Sequence, residues 1–72
     1  MHMRVLFNQG NVLQCKEITD AYYDKARKEL MLCGNKNTHH LPCTEDVANN
    51  ALVNLLTVGY CDLSAISSNH NI

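Results

Sequence analysis

The residue types best suited to chemistry gather in one stretch, Cys33, His39, His40 and Cys43, with Cys15 and Cys61 further off. Thiolate and imidazole are the preferred ligands of tetrahedral zinc, so the cluster is first weighed as a metal site. Zinc usually draws its ligands from knuckles such as Cys-x2-Cys, and the spacing Cys-x5-His-His-x2-Cys supplies none. With residues 38–43 extended, His39 and Cys43 share a face but stand about 13 Å apart, and His40 and Cys43 point to opposite faces. A small zinc-stabilised module built on Cys33, His39 or His40, and Cys43 therefore requires 34–43 to be a loop. The preferred reading assigns neither metal nor cofactor.

Cys43 is also the candidate nucleophile, because it lies just before a helix start, where the helix dipole lowers a thiol pKa. Glu45 and Asp46 work against the thiolate, and no residue is committed to orienting a histidine. A substrate pocket of the usual few hundred Å³ has little room in so short a chain. Gly10 and Gly34 are lone glycines that do not lead into a helix, so neither builds a phosphate cradle. Glu17, Asp20 and Asp24 read as solvated carboxylates. The expectation is a non-enzymatic protein with no catalytic residue and no small-molecule substrate.

A nucleic-acid surface is the stronger alternative. Lys25, Arg27, Lys28 and Lys36 fall on two candidate hairpin tips with Tyr22 and Tyr23 alongside, and basic loops beside exposed rings can stack single-stranded bases. Four cations make a thin footprint on a chain whose formal charge is −1. The charge is unevenly divided: residues 1–44 hold all six cations and four anions, whereas Glu45, Asp46 and Asp62 stand alone in 45–72.

The elements that position these residues must come from 72 residues, 46% of them hydrophobic, with no Trp and only Phe7, Tyr22, Tyr23 and Tyr60 as large rings. That is one small domain with a core of Leu, Val and Ile, and chains this size often lean on a second subunit. No apolar run approaches the ~18 residues of a membrane span, and no signal peptide opens the chain. Four cysteines then read as unpaired thiols of a cytoplasmic protein. Met1-His2 reads as a remnant of expression, 3–66 as the domain and 67–72 as a frayed polar tail.

Met3–Phe7 and Val12–Leu13 flank Asn8-Gln9-Gly10-Asn11, a hairpin signal. With Gln9 and Gly10 as its loop, Phe7 pairs with Val12 and Leu6 with Leu13. Residues 19–32 admit two readings. Ile18, Ala21, Tyr22, Ala26, Leu30 and Cys33 fit helical spacing, whereas a long strand from Val12 to Tyr23 can turn at residues 24–28 and return as Glu29–Cys33. The hairpin is preferred because a paired return strand buries Leu30–Cys33. Gly34-Asn35-Lys36-Asn37 is a turn by composition, and with Asn35 and Lys36 as its loop Cys33 pairs with Thr38 and Leu30 with Leu41. Thr44 is a helix N-cap followed by two acids, Val47, Ala48, Ala51, Leu52, Leu55 and Leu56 form a wide apolar face, and Gly59 stops the helix. Tyr60–Ile66 adds a short strand or an extended arm.

The sequence therefore predicts an α+β fold: two antiparallel β-hairpins, about four strands, followed by one amphipathic helix on the sheet and a short C-terminal strand. Its predicted role is a small interaction protein that pairs with itself as a homodimer or binds another protein.

Overall fold

The computed structural model describes residues 2–66; the readings of Met1 and of the tail 67–72 fall outside them. Five strands, β1 (Met3–Gln9), β2 (Val12–Ile18), β3 (Asp20–Asp24), β4 (Glu29–Cys33) and β5 (Thr38–Pro42), precede helix α1 (Glu45–Val58) and a short strand β6 (Tyr60–Asp62). The α+β class, the antiparallel hairpins, the following helix and the short last strand are as the sequence predicts. The strands number six, however, and divide into two three-stranded sheets ordered β2-β1-β6 and β3-β4-β5.

The division happens at Thr19. The single long strand expected over Val12–Tyr23 breaks there, so β2 stays with β1 while β3 leaves for the second sheet. The Thr19 N–H donates to the carbonyl of Cys33 at 2.8 Å and its hydroxyl to the same oxygen at 3.2 Å, which pins the switch. Ile18, the last residue before it, is 1% exposed and anchors the corner in the core.

The first hairpin corrects the expected register. Gly10 and Asn11 form the loop instead of Gln9 and Gly10, so Phe7 faces Gln14 and Leu6 faces Cys15. Gly10 has φ +65°, and placing it first in a two-residue loop meets the demand of a type II′ turn that the twist of the strands favours. The shift leaves Val12 and Leu13 exposed near the tip. The second tip matches its expected register throughout: Cys33 pairs with Thr38, Leu32 with His39, Met31 with His40 and Leu30 with Leu41.

Alternation along each strand sends Met3, Val5 and Phe7 to the inner face of one sheet and Leu30, Leu32 and Leu41 to that of the other. These join Ile18, Ala48, Ala51, Leu55, Cys61 and Leu63 in one cluster. Met31, on the opposite face, lies outside it, in register between Tyr22 and His40. The helix is capped as expected: Thr44 Oγ1 accepts from the Val47 N–H at 3.3 Å, and the Gly59 N–H donates to the Leu55 carbonyl at 3.1 Å. Gly59 adopts φ +72°, and a Cβ there would stand 3.3 Å from the His2 carbonyl, so the stop residue is fixed by conformation and by space.

Leu32→Ala empties a fully buried site and is expected to cost about 2–5 kcal/mol, whereas the exposed Leu13→Ala is expected to change stability by under about 0.5 kcal/mol. Urea titration followed by circular dichroism compares the two.

Candidate functional site

The second sheet decides where the thiols and imidazoles go. His39 follows the inward row of β5 and tilts against Phe7, with ring centroids 5.4 Å apart and planes at 56°. His40 takes the outward row and lies 3.0 Å from the Glu29 carboxylate. Cys33 pairs directly with Thr38 on the face that His39 avoids, and Cys43 lies beyond the strand. The structure thus leaves Cys33 and His40 on the outward face, His39 on the inward one and Cys43 past the end of the strand. Among the described residues no three His, Cys, Asp or Glu side chains gather to hold a metal ion. None of the four cysteines forms a disulfide.

Cys43 borders an open cleft of about 340 Å³ with Tyr23, Lys25, Lys28, Thr44 and Glu45. The Tyr23 hydroxyl donates to the Cys43 carbonyl at 3.0 Å, and the Cys43 N–H donates to the Lys28 carbonyl at 3.3 Å. These bonds tie the strand-to-helix corner to the β3–β4 turn, where Lys28 sits at φ +57°, a left-handed conformation uncommon for a lysine. Burial pushes the Cys43 thiol above its ordinary pKa, outweighing a backbone hydrogen bond that acts the other way. The helix start therefore does not yield an activated thiolate. Tyr23 is also raised, by burial first and then by Cys43, Glu45 and Asp24.

The cations expected to form a nucleic-acid surface are spread out. Lys25, Arg27 and Lys28 occupy the β3–β4 turn, and Lys36 occupies the turn at the opposite end of the same sheet. Lys25 lies 3.5 Å from Glu45 and Arg27 3.8 Å from Asp24, so two of the four charges meet carboxylates. Tyr22 is 48% exposed on the outer face, but Tyr23 is half-buried with its hydroxyl engaged. The two tyrosines point to opposite faces of β3.

The helix presents more apolar surface than the sheets cover. The expected face, from Val47 to Leu56, is wider than the surface the sheets cover. Ala48, Ala51 and Leu55 are buried and Leu52 is partly so, while Leu56 is 71% exposed. Val53 and Val58, outside that face, are 58% and 73% exposed. Beside Leu56 runs a shallow groove of about 150 Å³ lined by Met3, Asp20, Ala21, Leu52 and Leu55. From Val47 to Val58 the helix carries no charged residue at all, which is the one sequence signal that marks its outer surface as unusual. A solvated helix face is normally rich in charge.

Alkylation followed by peptide mapping tests the thiols. Exposed Cys15 is expected to react first, and the rate at Cys43 to keep climbing with pH beyond the ordinary thiol range of about 8–9, because its protonated form is the favoured one. No protein-family model, curated protein or solved structure matches this chain, so its functional reading rests on its own geometry.

Proposed function

We propose that this protein is a small non-enzymatic interaction protein that self-associates through the outer face of α1 to form a homodimer. The observation that carries the reading is the uncharged exposed helix surface, with Leu56 in the groove of Met3, Asp20, Ala21 and Leu52 and Val53 exposed one turn before it. Interface centres are depleted in charge, and so is this face. A second copy is the occupant because a two-fold contact sets the same patch against itself, and the patch carries a single charge, Asp20 in the groove lining, with none on the helix from Val47 to Val58. The only charges on the helix, Glu45 and Asp46, lie in its first turn. An antiparallel approach of two helices holds the two acidic ends apart.

Energetics favour a modest association. Full burial of a Leu or Val side chain contributes about 1.5–3 kcal/mol, so the exposed parts of Leu56 and Val53 offer roughly 1–2 kcal/mol each per copy. Association itself costs at least about 4 kcal/mol, which leaves a weak, concentration-dependent dimer. A non-catalytic role is supported by the protonated form favoured at the half-buried Cys43. A cytoplasmic location is supported by four unpaired thiols, which suit a reducing compartment. No helix among the described residues is long and apolar enough to cross a membrane.

Sedimentation equilibrium over a wide concentration range tests the proposal. The expected result is a rise in mass towards twice that of the chain, and Leu56→Glu is expected to weaken the dimer by about tenfold or more while leaving the circular dichroism spectrum unchanged. A mass that stays monomeric at the highest concentration, or a dimer indifferent to Leu56→Glu, overturns it.

A further inference from the structure

Lys25, Arg27 and His40 each have a carboxylate within 4 Å, whereas Arg4, Lys16, Lys28 and Lys36 have none among the described residues. Two of these unpaired cations, Lys16 and Lys36, line the same polar cleft of about 230 Å³. They arrive from different elements. Lys16 comes from the edge strand β2 and Lys36 from the β4–β5 turn, and His39 of β5 joins them.

Lys16 is out of place by the logic of a sheet. It pairs with Val5, which is fully buried, so it sits on the inward row of β2 where an apolar residue is expected. Its exposed ammonium reaches the rim between the two sheets, where the turn 34–37 closes the cleft. His39 is held against Phe7 on the same side. Asn35 and Asn37 add amide donors, and Glu17 is the one acidic residue in the lining. Strand alternation sends the Glu17 side chain to the opposite face from Lys16.

From this convergence we propose that the Lys16, Lys36 and His39 cleft binds an oxyanion of the phosphate class. Two ammonium groups on separate elements can embrace one phosphate from two sides, with the imidazole and the asparagine amides supplying hydrogen bonds. The site is independent of the helix face and stands or falls apart from self-association.

Amide-resolved NMR titrations at constant ionic strength test it, with inorganic phosphate, adenosine monophosphate and a short oligothymidine as probes. The expected result is a saturable shift confined to residues 16–17, 34–37 and 39. It is weakened by about threefold in each of Lys16→Gln and Lys36→Gln and by about tenfold in the double variant. Lys25→Gln with Lys28→Gln is expected to leave it unchanged. A response to the two small anions identifies a free phosphate or phosphomonoester. A response to the oligonucleotide at about a hundredfold lower concentration identifies a nucleic-acid backbone. Shifts no different from those caused by chloride, shifts centred on residues 23–28, or full binding by both single variants overturn the proposal.

Discussion

Two three-stranded sheets and a 14-residue helix share a single apolar cluster, and none of the three could bury its own inner face alone. This constraint organises the molecule. Val5, Leu30 and Leu32 lose all exposure because each is covered by elements from another part of the chain. The hydrogen bonds of Thr19 to Cys33 and of Tyr23 to Cys43 act at the seams, where one sheet hands the chain to the next and where β5 leads into the helix. With only Phe7 among the phenylalanines and no tryptophan, close packing of small aliphatic side chains replaces aromatic bulk.

The same constraint explains the surface. Alanines at positions 48 and 51 let the helix approach the strands closely, so a narrow stripe ending at Leu55 satisfies the core. The sheets beneath offer no further inner surface, and Leu56 and Val53 are left outside. What would be an ordinary amphipathic helix on a broader sheet becomes, on two small ones, a helix with apolar residues to spare. Most charges lie elsewhere, at the turns and along the strands, where Lys25 and Arg27 pair with carboxylates and Lys16 and Lys36 line the cleft beside His39.

Features governed by neighbouring residues were legible in the sequence. The register around Asn35-Lys36, the Thr44 cap and the Gly59 stop each follow from the local chemistry of a few positions, and the structure agrees at all three. Features governed by distant residues were not. The break at Thr19 depends on where Cys33 lies, and the two candidate registers of the first hairpin aim the same β1 side chains inward, so alternation alone does not choose between them. The breadth of the helix face was legible but which of its residues stay outside was not, because apolar periodicity records what a helix can bury, while the partner surface limits what it does bury. The separation of Cys33 from His39 was readable from strand parity once the turn at 34–37 was placed, as was the shared face of Cys33 and His40. The inward row of Lys16 was readable as well, because the expected and observed registers of the first hairpin differ by two residues and only its partner changes, from Met3 to Val5.

The parallel pairing of β6 with β1 sets Tyr60 beside Arg4 and Cys61 beside Val5. During synthesis the first hairpin emerges long before residues 60–62 exist, and its central strand then has one side open and its apolar row uncovered. Contacts of such sequence separation form late and slowly, because the loop between them must close first. The nascent chain therefore passes through a stage in which a bare strand edge and the row Met3, Val5 and Phe7 face the solvent, and that stage, more than the finished fold, is where this protein is most open to aggregation or to capture by a chaperone.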